Sequence, residues 1–459
     1  MNASARSDRA VRRRPARRVG RLCKTWHALQ TSLARAIPAR LHPRRSLIAR
    51  MRRDIRGLLD SDLESSSRSH AGEIARNYLS AGARRRMIFV RVLAHDFGAS
   101  IDTRQHRAGG EGAVRDRPTS SPMLQSTQPP RLIVMRRLAE LPDGLRLLMG
   151  LRGDLMDAAR ADGSMRAVEE ELHRLLAAYF NVDLLEVRRV TWRSPEAVLK
   201  KLIEHEAVHE IHGWQDLRNR LDADRRCFAL FHPRMPDEPL VFVEVALCDA
   251  IAGDIGALLD EHAPLGDPLS ADTAVFYSIS NCHRGLAGTS LGQFLITRAV
   301  GELAVELPGL KIFVTLSPIP GFANWLKAAL DRDATPSLTS GEREGLQILQ
   351  AARRSADTLT IESVRDPLMR LGAHYLMRVR RRDGKRAADA VAHFHLRNGA
   401  RIERLDWLAD RSEKGLRQSY GLMVNYRYEP AMLAKRAAAY VEGGVIGAAP
   451  EIEALAETV

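Results

Sequence analysis

The residues of this sequence that could do chemistry fall into four groups. The first is Phe276 to Gly292, FYSISNCHRGLAGTSLG. A strand-like run ends at Ser280, a loop with Gly285, Gly288 and Gly292 follows, and Leu291, Leu295, Ala299 and Leu303 then mark a helix. Glycines let the backbone approach a ligand, and a helix start offers free N–H groups and a positive dipole, so the segment could cradle a pyrophosphate. The spacing matches neither the nucleoside triphosphate nor the dinucleotide fingerprint, and a Gly-rich turn that only serves packing fits as well. The second group is Leu310 to Trp325, LKIFVTLSPIPGFANW, where Ser317 ends an alternating apolar strand. Ligands collect at the carboxyl ends of strands in open α/β sheets, although Ser also caps helices and turns. The third is Ala390 to Gly399, AVAHFHLRNG. Read as a strand or loop, it puts His393 and His395 on one face, where one of them could do acid–base work or both could simply be half exposed. No third ligand is near enough for a metal. Downstream, GLMVNYRY at 421–428 sets Tyr426 and Tyr428 around Arg427, as a site wall or as core.

The fourth group is HEAVH at 205–209, a formal match to the zinc-protease helix. The continuation that metalloproteases carry is missing, because Ile211, His212 and Gly213 break it. We therefore expect no metal site. The four cysteines, Cys23, Cys227, Cys248 and Cys282, lie far apart with no C-x-x-C, so neither a disulfide framework nor a thiolate zinc site is indicated.

These groups sit on two kinds of segment. From 54 to 182 the periodicity is helical, clearest in MRAVEEELHRLLAAYF, where Val168, Leu172, Leu175, Leu176 and Tyr179 recur at helical spacing. Residues 101–131 interrupt it with glycines, prolines and serines and read as loop or disorder. After Asn181, strand-like runs at Cys227–Phe231, Leu240–Leu247, Ala274–Ser280 and Lys311–Leu316 alternate with helical patterns at Pro195–His205, Gly288–Leu307 and Ala323–Leu330. Further helices are expected around Pro367–Val379 and Pro430–Glu442. The fold class is thus α+β: an all-helical domain at 54–182, then a mixed α/β domain at 183–459. Strand, Gly-rich loop and helix in that order is how acetyltransferase-like (GNAT-type) domains hold coenzyme A.

Composition excludes some functions. The chain has 459 residues, 45% hydrophobic and 27% charged, enough apolar surface for a buried core. No apolar stretch approaches the roughly 20 residues of a membrane span. The net charge of +14 is local, since residues 1–53 carry fifteen Arg and Lys24 against Asp8 alone. We read 1–53 as a solvated, disordered extension or a targeting segment. Nucleic acid binding, which needs a clustered basic face, could rest only on it.

The blocks RRVTWRSPEAVLKKLIEHEAVH at 188–209, DEPLVFVEVAL at 237–247, FYSISNCHRGLAGTSLGQFLI at 276–296, TLSPIPGF at 315–322, DPLMRLGAHYL at 366–376, FHLRNGA at 394–400 and GLMVNYRY at 421–428 together resemble the malonyl-CoA decarboxylase family. GLRLLMGLRGDLMDAAR is similar to that family's N-terminal domain. The resemblance implies a helical oligomerisation domain, an acetyltransferase-like catalytic domain and a decarboxylation of malonyl-CoA to acetyl-CoA and CO2 that uses no metal or other cofactor. It implies a homo-oligomer, by family a tetramer. By position it makes Ser317 the catalytic serine and proton acceptor, and His395 the catalytic histidine and proton donor. It makes Ala287, Gly288, Thr289, Ser290, Leu291, Gly292 and Gln293 the CoA-binding loop, and Tyr428 a residue lining the site. Animal members carry a Glu where this sequence has Ser290. A CoA-dependent acyltransferase of the same fold is the alternative. A Ser-His hydrolase would need the G-x-S-x-G elbow, which is absent. We expect a bacterial cytoplasmic enzyme, with the mitochondrial matrix as the alternative location; the terminal Glu457-Thr458-Val459 is no peroxisomal signal.

Overall fold

A computed structural model describes residues 43–61, 63–98, 128–332, 338–351 and 362–458. Residues 1–42 of the basic segment and 101–127 of the expected loop lie outside the described residues. The chain divides into two compact units, Met1–Leu176 and Ala177–Val459.

The described part of the first unit is helical: α1 (Pro43–Leu59), α2 (Glu64–Leu79), α3 (Ala83–Asp96), α4 (Pro130–Ala139), α5 (Gly144–Ala161) and the start of α6 (Arg166–Tyr179). Helix α1 runs through residue 53, where the composition changes, and buries Ile55 and Leu58 beyond it. Helix α5 buries Leu145, Leu147, Leu148, Leu151 and Leu155. Helix α6 buries Val168, Leu172 and Leu176 of the stripe that its spacing predicts. Two buried guanidiniums are paired rather than stranded: Arg131 with Glu171 at 2.6 Å and Arg152 with Glu169 at 2.8 Å.

The second unit holds a mixed sheet of eight strands: β1 (Glu186–Val190), β2 (Arg225–His232), β3 (Met235–Cys248), β4 (Thr273–Asn281), β5 (Ile312–Thr315), β6 (Ser317–Pro318), β7 (Arg401–Asp406) and β8 (Met423–Arg427). The order is β1-β2-β3-β4-β5-β8-β6, with β7 on β8. Every pairing is antiparallel except β4 with β5. Nearly continuous apolar runs give β2, β3 and β4 two buried faces, which is why helices cover both sides. Helices α7 (Glu196–His205), α8 (Trp214–Arg220) and α9 (Ile255–Leu259) take one face, and α10 (Leu291–Glu306) crosses the other. The remaining helices are α11 (Phe322–Asp331), α12 (Ser340–Ala351), α13 (Arg365–Arg378), α14 (Ala390–Arg397), α15 (Glu413–Ser419), α16 (Leu433–Gly443) and α17 (Pro450–Glu457).

Two irregularities shape the sheet. In β4 the register passes from Val245↔Phe276 to Glu244↔Ser278, so Tyr277 is an extra residue, a bulge. The bulge reverses the alternation and turns Ser278 and Ser280 to the α7–α8 face. The parallel pairing of β4 with β5 then stops at Phe276↔Thr315, with one more bond from Leu316 N–H to Phe276 O at 3.0 Å. Beyond it the strands separate: β4 continues beside β3 to Asn281, while the chain from Ser317 pairs with Val424 of β8. A split opens at the carboxyl ends of two parallel strands.

One expectation is corrected. The segment Ala390–Leu396, read as strand or loop, is helix α14. Asp389 caps its first turn and Val391 is its one β-branched residue, so nothing opposes helix once the cap is set. On a helix, positions i and i+2 lie on different faces. His393 therefore turns to Tyr440 of α16, at 2.8 Å, and does not share a face with His395.

Candidate functional site

Ser317 comes first, because the end of β5 fixes it. Phe313 and Thr315 alternate with Ile312 and Val314, and Ser317 continues the face of Thr315. Tyr426 N–H donates to Thr315 Oγ1 at 3.1 Å, and Asn425 Nδ2 donates to Thr315 O at 2.8 Å. Against that fixed threonine, Ser317 Oγ donates at 2.8 Å. Pro318 and Pro320 stiffen the turn that follows. At Gly321 a Cβ would stand 2.2 Å from Tyr375 Oη, so no larger residue fits there.

His395 is brought to that turn by α14. The cap residue Asp389 accepts from Val391 N at 2.8 Å and Ala392 N at 3.0 Å. Its second oxygen accepts from Gly321 N at 3.1 Å. One buried carboxylate thus joins the start of the histidine helix to the turn after the serine. The helix ends at Asn398 and Gly399, where φ is +84° and a Cβ would lie 2.1 Å from Leu433 O. Ala400 N–H closes the last turn onto His395 O at 3.1 Å. The RNGA of the motif is this helix stop.

The two side chains meet: Ser317 Oγ lies 3.2 Å from His395 Nε2. His395 Nδ1 lies 2.8 Å from Tyr428 Oη. The imidazole stacks on Tyr426 with centroids 4.5 Å apart, and Phe394 and Tyr428 meet it edge-on. Tyr428, His395, Ser317 and Thr315 form one hydrogen-bonded chain that is almost wholly shielded from water. Burial lowers His395 to about 3, so the ring is neutral near pH 7. Burial also pushes the Tyr428 phenol up. A neutral ring flanked by two hydroxyls can take a proton at one nitrogen and release one from the other.

The Gly-rich loop lies beside this chain. Gly288 has φ +82°. Thr289 Oγ1 folds back to Leu286 O at 2.6 Å. Ser290 is the N-cap of α10 without a side-chain cap, and the first turn has no acidic residue, so the dipole there is not offset. A Cβ on Gly292 would lie 3.3 Å from the Phe394 ring, so the start of α10 rests against the histidine helix. Leu291 is core, 2% exposed, and could offer a ligand only its backbone. Ala287, Thr289 and Gln293 are half-buried, while Gly288 and Ser290 are exposed.

HEAVH does not form a zinc-protease helix. Helix α7 stops at His205, and Glu206 is already extended, with φ −64° and ψ 111°. The two histidines are therefore not on successive turns of one helix. Among the described residues no group of three or more His, Cys, Asp or Glu is placed to hold a metal. Sequence reasoning did not single out Thr315, Asp389 or Phe394. Thr315 was within reach, standing two residues before Ser317 on an alternating strand.

The malonyl-CoA decarboxylase C-terminal domain model matches residues 183–458, and the N-terminal domain model matches 107–180. A mitochondrial malonyl-CoA decarboxylase from Anser anser anser is 34% identical over 405 residues, 81% of this chain and 80% of that protein. The one from Rattus norvegicus is 38% identical over 319 residues, 64% of each. The crystal structure of malonyl-CoA decarboxylase from Agrobacterium vitis superposes with a TM-score of 0.78 at 39% identity, covering 88% of this chain and 99% of that one. The Rhodopseudomonas palustris structure also gives 0.78, at 37% identity, covering 89% and 99%.

Asp389→Ala would remove three accepted backbone hydrogen bonds. It should cost about 1–2 kcal/mol of stability, read as a lower denaturant midpoint at unchanged slope, and an unmoved midpoint would contradict the junction described above.

Proposed function

This chain belongs to the malonyl-CoA decarboxylase family, and we propose that it converts malonyl-CoA to acetyl-CoA and CO2 with Ser317 and His395 handling the reacting acyl group. The observation that carries the assignment of these residues is the 3.2 Å contact between Ser317 Oγ and His395 Nε2 at the mouth of the sheet's split. The bond from the malonyl Cα to its carboxylate breaks, CO2 leaves, and the electron pair passes to the thioester as an enolate. The enolate carbon then takes a proton, so each turnover consumes one proton drawn from solvent.

Each requirement has a candidate in this chain. The Gly-rich loop from Ala287 to Gln293 takes the CoA, with N–H groups at the start of α10 available for phosphate or for the enolate oxygen. Ser317 hydrogen-bonds the malonyl carboxylate or the thioester carbonyl. A carboxylate moved from water into this apolar setting loses hydration, which favours release of neutral CO2. His395 supplies the proton. Its burial, with no negative charge to offset it, keeps the ring neutral. The arriving carboxylate provides that charge, and so raises the ring's proton affinity where a proton is needed. Tyr428 holds Nδ1 and orients the ring. Ser290 stands where animal relatives carry Glu, so we assign no carboxylate at that point of the loop.

We assign residues 54–182 to oligomerisation and 183–459 to catalysis. The chain would act as a homo-oligomer, a tetramer by family, in a bacterial cytoplasm, with no cofactor beyond the CoA of its substrate. Among the described residues no helix is long and apolar enough to cross a membrane.

The test is direct. Purified protein given malonyl-CoA should release CO2 and acetyl-CoA in equal amounts with no amine present; transfer only to an added amine would point to the acyltransferase instead. Ser317→Ala and His395→Asn should each lower kcat at least about 100-fold while CoA still binds. Full activity in either variant would remove that residue from the mechanism.

A second measurement concerns protonation. With its pKa lowered to about 3 in the folded protein, His395 should show no protonation by histidine NMR between pH 8 and pH 5. A thioether analogue that keeps the malonyl carboxylate should move the signal toward the cation. A free-protein titration near pH 6.5 would contradict the reading.

A further inference from the structure

The HEAVH segment forms no zinc-protease helix, yet it is heavily bonded. Glu206 is buried on the α7–α8 face of the sheet. One of its oxygens accepts from Val208 N and His209 N, each at 2.8 Å. The carboxylate also accepts from Ser278 Oγ at 2.7 Å and Ser280 Oγ at 3.0 Å. Ser280 Oγ in turn accepts from Ala207 N–H at 3.1 Å. Both serines lie on β4 past the bulge, in the stretch that has left β5. The same segment is held from the opposite side of the split. Lys414 Nζ, at the start of α15, donates to Ala207 O at 2.9 Å and Val208 O at 2.7 Å. Helix α15 packs on β6, the strand that begins with Ser317, and leads into β8. A third hold comes from Arg220, which bonds Glu244 of β3 and Asp216 and donates to His209 O at 2.9 Å and Glu210 O at 3.1 Å.

From this geometry we infer that residues 206–209 are a tie across the back of the split, and that Glu206 and Lys414 are positioning residues that set the distance between the β4 wall and the Ser317 wall. The inference rests on the decarboxylase reading, because the split is taken there as the place of the acyl thioester. Nothing in it needs Glu206 or Lys414 to touch substrate. The α10 face of the sheet carries Ser317 and His395; the tie spans the other face. Beyond Leu316 the two walls are no longer bonded strand to strand, so their spacing depends on side chains and loops. The tie is anchored by hydrogen bonds at both ends. Loss of one anchor frees one wall without removing any group from the reacting centre.

The test uses the full-length protein. Lys414 is exposed, so Lys414→Met should fold, with a melting temperature close to that of the parent. Its kcat should fall about tenfold, the loss expected when reacting groups shift by a fraction of an ångström, while KM changes less. Lys414→Arg, which restores donors to both carbonyls, should recover most of that loss. Ser280→Ala, which removes an anchor at the other end, should lower kcat in the same direction. Amides of residues 207–209 and 278–281 should exchange hydrogen faster in Lys414→Met than in the parent. Parent-like kcat and exchange in folded Lys414→Met would overturn the tie, and so would a loss of activity that only follows a loss of folded protein. Absence of CO2 release by the parent protein itself would instead sink the decarboxylase reading, and the exchange measurement would still judge the tie.

Discussion

The point at which two parallel strands stop pairing governs everything else in the second unit. Up to Phe276 and Thr315, β4 and β5 share a backbone ladder, and past Leu316 they do not. Backbone groups released from a ladder must find other partners or water. Here that release produces an opening, and it does so where Ser317 leaves one strand and the Gly-rich loop soon leaves the other. The bulge at Tyr277 acts in the same place, turning the far end of β4 so that its hydroxyls face Glu206 rather than α10. The serine, the loop and the tie are consequences of one failure of pairing.

Polarity is arranged differently on the two sides of this sheet. On the Ser317 side the chain of Thr315, Ser317, His395 and Tyr428 is buried and neutral. On the other side burial is met with charge: Arg220 lies between Asp216 at 2.7 Å and Glu244 at 3.2 Å. Burial, with Glu206 close by, raises Glu244 to about 8 against the pull of Arg220, so the buried charge that must stay paired is the guanidinium. Such a cluster holds geometry well because any displacement strands a charge. The neutral chain has the opposite character, since its protons can be rearranged without creating a buried ion until a charged substrate enters.

How much of this could be read from the sequence depended on how local its causes were. The runs Leu240–Leu247 and Lys311–Leu316 announce strands because burial on both faces leaves an apolar signature in every residue. The stripe of Val168, Leu172 and Leu176 announces its helix in the same way. AVAHFHLR does not, because eight residues are too few for a helical period to stand out, and what makes them a helix is a carboxylate just before them and a turn far upstream. The bulge was equally hidden, for Tyr277 is an ordinary strand residue and no Gly or Pro marks the place. Ser317, His395 and Tyr428 could be named through the resemblance of whole blocks. Residue spacing alone left each with an ordinary structural explanation, and pairing between segments brought Ser317 and His395 together. Thr315 was overlooked although simple alternation puts it on the face of Ser317.

The carboxylate of Asp389 has one more implication. Ser317 and His395 are 78 positions apart, and the described residues between them include three whole helices. Because Asp389 fastens the start of the histidine helix directly to Gly321, the separation of the two side chains is set over a few residues at either end of that excursion. Only the part of it that does not pack against Gly321, as Tyr375 does, is thereby insulated from the serine and imidazole. Related chains could change the part of that stretch outside the DPLMRLGAHYL block, whose Tyr375 packs against Gly321, and leave the spacing of serine and imidazole as it is.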